Sequence, residues 1–231
     1  MVPRPTVSVV IPVHDEADYL PGAVDRLFAQ LADVDADITV LIAENGSSDG
    51  SAEVVRTLAA DRPGLSVLEL PDPDYGAAMR AGFLATSGDW AVNFDIDYFS
   101  GAFLTTALAH PEADVVLASK RAPGSDDRRT LFRRTATWGF NLLLRVLLSS
   151  KVSDTHGMKA IRRKVVDDIA PQVRSTKDLF DTELVVRAER AGYRIVEVPV
   201  VVVEERASKS SLLRRVPRTL SGMWAIRKNL R

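Results

Sequence analysis

The first half of the chain alternates short β-branched runs with segments of helical periodicity. Residues 6–13 form a nearly continuous apolar run, which is typical of strands buried on both faces. Further runs follow at 38–43, 65–70 and 90–94, and the segments between them repeat apolar residues at helical spacing. This order predicts an α/β fold with a doubly wound, mostly parallel central sheet and helices on both faces.

The second half departs from this alternation. A fifth strand is predicted at 113–120, and the leucine-rich pattern of 128–150 indicates one long helix. Four arginines near the start of that helix oppose its dipole, so another interaction must favour them there. A short strand at 157–161, a helix at 181–191 and a long strand at 193–204 are predicted next.

Basic residues are concentrated at the C-terminal end. Residues 206–231 contain eight of the 30 Lys and Arg residues and no acid, which leaves 22 basic and 31 acidic residues, a net charge of −9, in 1–205. We therefore divide the chain into a globular domain, 1–205, and a basic helical tail, 206–231. Such a tail suits phosphate, nucleic acid or a membrane surface, and a solvated basic helix is the alternative.

Several classes of protein are excluded. The chain has no cysteine, so disulfide scaffolds, thiolate metal sites and cysteine nucleophiles are ruled out. With three histidines, an all-histidine metal site is disfavoured and a metal would be bound by carboxylates. The phosphate-binding P-loop, the Gly-x-Gly-x-x-Gly fingerprint after the first strand and the Gly-x-Ser-x-Gly elbow are all absent.

The sequence predicts a cytoplasmic protein. No apolar run reaches the roughly 18 residues of a membrane-spanning helix. The apolar run at 6–13 continues directly into His14-Asp15-Glu16 without a small-residue cleavage site, so it is interpreted as a strand rather than a signal peptide.

Polar segments follow the predicted strands at 14–16, 44–49, 72–76 and 95–97. Ligands of open α/β sheets bind beyond the carboxyl ends of the strands, so these segments are the candidate site. Asp95 and Asp97 can share a hard divalent cation or divide between a metal and a sugar. An isolated Asp-x-Asp is a weak signal, and its position at a strand end strengthens it.

Seven motifs occur in the order found in family 2 glycosyltransferases, and the chain resembles most the dolichyl- or polyprenyl-phosphate mannose and glucose synthases. The resemblance covers about residues 6–210. The motifs are Val9-Val-Ile-Pro-Val-His-Asp-Glu16, Glu44-Asn-Gly-Ser-Ser-Asp-Gly-Ser51, Tyr75-Gly-Ala-Ala-Met-Arg-Ala-Gly82, Asp95-Ile-Asp97, Ser153-Asp-Thr-His-Gly-Met-Lys159, Phe180-Asp-Thr-Glu183 and Glu197-Val-Pro199.

The resemblance implies a GT-A fold, a UDP- or GDP-sugar donor and Mg²⁺ or Mn²⁺ as cofactor. It places the metal on Asp95 and Asp97, with Asp97 also counted as catalytic. It implies donor contacts at Pro12, Glu16, Glu44, Asp49, Gly76 and Asp95, and diphosphate contacts from Arg206 and Lys209 in the tail.

Three positions depart from the family pattern. Glu44 stands where the family usually has Asp, and Phe99 stands where mannose synthases often have a polar residue. The spacing between Arg206 and Lys209 is shorter than usual. The Gln-x-x-Arg-Trp signature of processive polysaccharide synthases is absent, which favours single transfers.

The expected reaction is inverting transfer of one sugar to a polyprenyl-phosphate-type lipid, with the basic tail on the inner face of the membrane. A phosphate monoester is largely dianionic at neutral pH and needs no general base. A soluble enzyme with a hydroxyl acceptor is the alternative, and it would need a base such as Asp154, Asp181 or Glu183. A non-catalytic nucleotide-sugar or membrane-binding protein is the alternative of another class. No nucleic-acid partner is expected, and the oligomeric state is left open.

Overall fold

The computed structural model describes residues 3–127, 131–202 and 212–230. Its first half confirms the predicted alternation, because each apolar run is a strand and each amphipathic segment between two runs is a helix. The elements are β1 (Thr6–Val13), α1 (Leu20–Leu31), β2 (Asp37–Asn45), α2 (Ser51–Asp61), β3 (Leu65–Leu70), α3 (Tyr75–Ala85) and β4 (Trp90–Asn93).

The second half contains more elements than the sequence pattern predicts. The short helices α4 and α6 have no counterpart in the prediction, and the single strand expected at 193–204 is two strands. β8 ends at Pro199, which has no N–H for a further ladder bond. The elements are α4 (Gly101–Leu108), β5 (Val115–Ser119), β6 (Asp126–Asp127), α5 (Leu131–Leu148), β7 (Lys159–Arg162), α6 (Arg163–Ile169), α7 (Phe180–Arg190), β8 (Ile195–Pro199), β9 (Val201–Val202) and α8 (Leu212–Asn229).

Seven strands form one sheet in the order β3-β2-β1-β4-β7-β5-β8. Within it β7 runs antiparallel to both β4 and β5, and the other pairings are parallel, so the mostly parallel sheet is confirmed. β6 and β9 pair separately. The reversed direction of β7 places its first residue, Lys159, opposite the last residue of β4, Asn93.

Helices cover both faces of the sheet, and β1 shows why its sequence is almost continuously apolar. Val9 and Ile11 point into a cluster with α1 and α4, whereas Val10, between them, points into a cluster with α3, α6 and α7. Both sets are fully buried. A strand covered on both faces cannot alternate apolar and polar residues.

The last helix packs outside this sandwich. Met223 and Ile226 of α8 join Leu144 and Leu148 of α5 in a third cluster, which also contacts Val186 of α7. Within the described residues, no helix combines the length and the apolar content needed to cross a bilayer.

Candidate active site

Hydrogen bonds tie together the loops that follow β1 and β2. Oδ1 of Asp15 accepts from the backbone N of Ser48 at 2.8 Å, and Oγ of Ser47 accepts from the backbone N of Asp15 at 3.0 Å. Oδ2 of Asp49 accepts from the backbone N of Ala17 at 2.9 Å. The two loops therefore form one unit at the carboxyl ends of adjacent strands.

Asp49 fastens this unit. Its Oδ1 accepts from the Ser51 hydroxyl at 2.6 Å, and that bond, followed by the one from Ala17, lowers the pKa of Asp49 to about 2. Oγ of Ser51 also accepts from the backbone N of Glu16 at 2.9 Å. The structure thus brings Asp49 and Glu16 together through Ser51, in the loops that follow β1 and β2, and Pro12 is the half-buried penultimate residue of β1.

Glu44, at the end of β2, is buried. Its Oε1 accepts from the backbone N of Ser47 at 2.7 Å, so the side chain folds back on its own loop. The longer side chain that replaces the usual Asp accepts this hydrogen bond within the loop after β2. Its contact with a nucleobase stays a prediction.

Gly76 has a packing reason to be glycine. A Cβ atom at this position would lie 2.8 Å from Cα of Thr176 and 2.9 Å from the backbone N of Lys177. Asp74, the residue before α3, accepts from the backbone N atoms of Ala77 at 2.9 Å and of Lys177 at 3.0 Å. The start of α3 is therefore held against residues 176–177, and a donor contact at Gly76 stays a prediction.

Asp95 and Asp97 lie in a tight turn after β4. The backbone N of Asp95 donates to O of Tyr98 at 3.1 Å, and the backbone N of Tyr98 donates to O of Asp95 at 3.0 Å. Asp97 is exposed, whereas Asp95 is half-buried by surface area. Burial is the main cause that raises the pKa of Asp95 to about 6; Lys159 opposes the rise, and Asp181 and Asp97 add to it.

The two carboxylates fit part of the shell of a hard divalent cation. They supply oxygen ligands, which Mg²⁺ and Mn²⁺ prefer. Among the described residues, no group of three or more His, Cys, Asp or Glu side chains is placed to hold a metal ion. A metal bound here would need further oxygens, such as those of a diphosphate.

A cavity of about 580 Å³ opens beside this turn, and Phe99 lines it together with Asp97. Tyr19, Phe103 and Val200 form other parts of its wall. Its volume lies within the range of small-ligand sites. The Phe99 departure thus adds an aromatic wall next to Asp97.

A buried polar cluster underlies Asp95, and we define it as Tyr75, Asn93, Lys159 and Asp181. Nζ of Lys159 donates to Oδ1 of Asn93 at 2.6 Å and lies 3.1 Å from Oδ1 of Asp181, outside hydrogen-bonding geometry. The Tyr75 hydroxyl donates to Oδ2 of Asp181 at 2.7 Å. Burial and then the Asp181 charge raise the pKa of Tyr75 well above its usual range.

Asp154 is buried at the same edge of the sheet. Its Oδ1 accepts from the backbone N of His156 at 3.0 Å, and its Oδ2 lies 3.5 Å from Nζ of Lys120. Lys120 follows β5 and also lowers the pKa of Asp95, so it contributes positive charge to the candidate site.

Glu183 is fully buried and faces a different set of partners from Asp181. Its Oε2 accepts from the backbone N atoms of Arg174 at 3.1 Å and of Ser175 at 2.6 Å, and its Oε1 pairs with Arg187 at 2.7 Å. These bonds favour a structural role, and the role of Glu183 as a general base for a hydroxyl acceptor stays a prediction.

Two predicted diphosphate contacts, Arg206 and Lys209, lie outside the described residues. Sequence reasoning missed Lys120, Lys159, Asn93 and the hydroxyl of Tyr75 as members of the site. The motifs 75–82 and 153–159 contain Tyr75 and Lys159. The carboxylate that both residues contact, Asp181, lies far from each of them in the sequence, so no local pattern marks the contact.

Comparison with known proteins relates the chain to sugar transferases. The family model described as glycosyl transferase family 2 matches residues 8–170. An undecaprenyl-phosphate mannosyltransferase from Micrococcus luteus is 30% identical over 218 residues, covering 89% of this chain and 87% of that protein.

Glycosyltransferase AglD from Haloferax volcanii is 30% identical over 218 residues, covering 91% of this chain. An undecaprenyl-phosphate 4-deoxy-4-formamido-L-arabinose transferase from Yersinia pestis is 31% identical over 170 residues, covering 71% of this chain. The chain spans 35% of the length of the first and 51% of the second.

Solved structures share the fold. Mannosyl-3-phosphoglycerate synthase from Rubrobacter xylanophilus superposes with a TM-score of 0.70 at 22% identity, covering 96% of this chain and 74% of that one. A mannosyltransferase from Pyrobaculum calidifontis, in complex with GDP-Man and Mn²⁺, gives a TM-score of 0.66 at 23% identity, covering 97% and 64%. The sheet and its flanking helices are those of the GT-A fold.

Proposed function

The chain belongs to glycosyl transferase family 2 and is a glycosyltransferase, and on that basis we propose that it transfers one sugar from a nucleoside diphosphate sugar to a lipid phosphate of the polyprenyl-phosphate class, with inversion. The observation that carries the proposal is the acidic pair Asp95 and Asp97 at the carboxyl end of β4, beside the interlocked loops of β1 and β2. The alignment over 87% of the undecaprenyl-phosphate mannosyltransferase supports the acceptor class.

Asp95 and Asp97 would hold Mg²⁺ or Mn²⁺ against the donor diphosphate, and the metal would neutralise charge that develops on the leaving group. Neighbours with this fold contain Mn²⁺ with GDP-Man or with UDP. Pro12, Glu16, Glu44 and the loop of Asp49 would form the nucleoside side of the site. Arg206 and Lys209 would add positive charge at the diphosphate.

The environments of the candidate bases favour a phosphate acceptor. A hydroxyl acceptor needs a carboxylate that is free to take a proton, whereas a phosphate dianion is already a nucleophile. Asp154, Asp181 and Glu183 are all buried, and each is engaged by backbone or side-chain donors. Lys120, at the same edge, supplies a positive charge that could bind the acceptor phosphate.

A membrane surface would present such a lipid, and two helices carry suitable side chains. We define the apolar face as Trp138, Leu142 and Val146 of α5 with Leu220 and Trp224 of α8. On α5 these side chains are 59%, 47% and 62% exposed and recur every four residues, so they lie along one side of the helix.

Cations accompany this face, which is why we propose an anionic bilayer as its occupant. Arg145 is exposed beside Val146, and Lys228 is exposed one turn after Trp224. Tryptophan is favoured at membrane interfaces, and each basic residue near an anionic surface contributes about 1 kcal/mol to binding. The protein would then act at the cytoplasmic surface of a membrane.

The first test measures donor binding and transfer. Calorimetry with UDP- and GDP-sugars should give affinity that depends on Mn²⁺ or Mg²⁺ and is lost in EDTA or in Asp97→Ala. Transfer to polyprenyl phosphate in vesicles should exceed transfer to soluble sugars, and Lys120→Ala should raise the KM for the lipid phosphate. Transfer to a soluble hydroxyl acceptor that depends on Asp154 would contradict the proposal and favour the soluble enzyme.

The second test measures docking by co-sedimentation with vesicles of graded anionic-lipid content. The double variant Trp138→Ser, Trp224→Ser should lose binding, and high salt should weaken binding of the wild type. A matched double variant on another helix, Leu84→Ser with Arg80→Ser, should bind like the wild type. Equal sedimentation of both double variants would refute the assigned face.

A further inference from the structure

Lys159 is an unusual residue for its position. Its side chain is fully buried, although lysine is almost never fully buried unless paired. Its Nζ donates to O of Gly157 at 2.8 Å as well as to Asn93, and it pairs with Asp181 at 3.1 Å. A buried ion pair is rarely favoured for stability alone, because apolar side chains of similar volume serve stability as well. The position of this pair therefore points to another role.

The bond from Lys159 reaches the metal-binding turn through one intermediate. Asn93 is the cross-strand partner of Lys159, and its Oδ1 accepts a hydrogen bond from Nζ of Lys159. The Nδ2 of Asn93 donates to O of Phe94 at 3.3 Å, in the peptide that joins Phe94 to Asp95. Two hydrogen bonds, from Lys159 to Asn93 and from Asn93 to Phe94, thus connect the first residue of β7 to the peptide that carries Asp95.

Charge adds a second link. Asp95, Asp97 and Asp181 carry three formal negative charges, and Lys159, 3.1 Å from Asp181, offsets one of them. Its Nζ lies 3.1 Å from Oδ1 of Asp181 and the Tyr75 hydroxyl donates to Oδ2, so both groups hold that carboxylate within the cluster under Asp95.

We propose that Lys159 is a positioning residue of the metal site: through Asn93 it fixes the peptide that carries Asp95, and by pairing with Asp181 it keeps that carboxylate out of the metal shell. Lys159 does not touch the reacting atoms. The inference rests on the proposed function, because it concerns the same metal and donor.

The test uses the full chain, with Mn²⁺ and UDP, or Mn²⁺ and GDP, as probes. The double variant Lys159→Met, Asp181→Asn removes both buried charges and leaves an amide that can still bond Tyr75. Lys159→Met alone should lower the midpoint of thermal unfolding, because Asp181 is left buried with an unpaired charge. The double variant should recover most of that midpoint in EDTA.

The readout that a purely structural ion pair would not move is Mn²⁺ affinity, measured by the electron paramagnetic resonance signal of the nucleotide-bound ion. We expect the double variant to bind Mn²⁺ with nucleotide at least tenfold more weakly than the wild type. Asn93→Ala, which removes both the acceptor of Lys159 and the donor to the Phe94 peptide, should show a loss of similar size. The control Lys164→Met, Asp114→Asn removes an ion pair of 2.6 Å between α6 and the residue before β5, and it should bind normally.

The outcomes separate this inference from the proposed function. If the wild type binds Mn²⁺ with nucleotide and the variants at Lys159 and Asn93 bind it equally well, Lys159 is only a core residue and the inference fails alone. If the wild type itself binds no Mn²⁺ with either nucleotide, the metal site and this inference fail together.

Discussion

Replacing Asp95 with Asn should stabilise the metal-free protein while abolishing its metal binding. Burial raises the pKa of Asp95 from 3.8 to about 6, so the folded state disfavours the charged carboxylate. At about 1.4 kcal/mol for each tenfold change in the acid equilibrium, the full cost at neutral pH is about 3 kcal/mol. Because Asp95 is half-buried by area and solvent screens part of this cost, we expect a gain of about 1–3 kcal/mol for Asp95→Asn.

The pH dependence follows from the sign of the change. Below pH 3.8 Asp95 is protonated in the folded and the unfolded state, and the wild type carries no penalty. Between pH 3.8 and about 6 the unfolded state loses its proton first, so the wild type loses stability as the pH rises. Above about pH 6 the penalty is constant, and the advantage of Asp95→Asn should reach its plateau.

The assay is thermal unfolding in EDTA from pH 4.5 to 8. A gain of 1 kcal/mol raises the midpoint of a chain of this size by about 2–4 °C. Asp33→Asn, at an exposed loop residue, should follow the wild type at every pH. Mn²⁺ with nucleotide should stabilise the wild type and leave Asp95→Asn unchanged. An Asp95→Asn protein no more stable than the wild type at pH 8 would refute the claim that burial disfavours the charged form of Asp95 in the folded protein.

Three further changes test other parts of the structure. Gly76→Ala should lower stability by about 1–3 kcal/mol in urea unfolding, because its Cβ would overlap the backbone of 176–177, and unchanged stability would contradict that packing. Arg187→Met should cost about 3–5 kcal/mol by the same measurement, since Glu183 would remain buried without its cation; a loss below 1 kcal/mol would mean that Glu183 has other compensation. Arg206→Lys should slow transfer at least tenfold, about 1.4 kcal/mol of barrier, if a planar guanidinium binds the leaving diphosphate, and wild-type rates would remove Arg206 from the site.

Local pattern was enough to predict the sheet and the edge where the site lies. The apolar run at 6–13 is buried on both faces in the structure, and the polar segments at 14–16, 44–49 and 95–97 all follow strands that run in the same direction. Parallel strands gather their carboxyl ends at one edge whatever the details of packing. The candidate metal acids could therefore be chosen from the sequence alone.

The assignment of roles beyond that edge depended on tertiary structure. Asp181 and Glu183 stand two residues apart in one motif, yet residues at that spacing do not face each other on a helix. Asp181 joins the cluster under Asp95, and Glu183 turns to Arg174 and Ser175. The same rule governs α5, in which Leu144 is buried while Leu142 and Val146 are exposed.

The sequence by itself determined β1 to β4, their common direction and the acidic edge, because these follow from periodicity over a few neighbouring residues. Only the tertiary structure decided that Lys159 belongs to the site. Its partner Asn93 is 66 residues away, and they meet because β7 inserts antiparallel between β4 and β5. No local pattern encodes which strand inserts where, since that choice is made by the packing of the whole sheet and its helices.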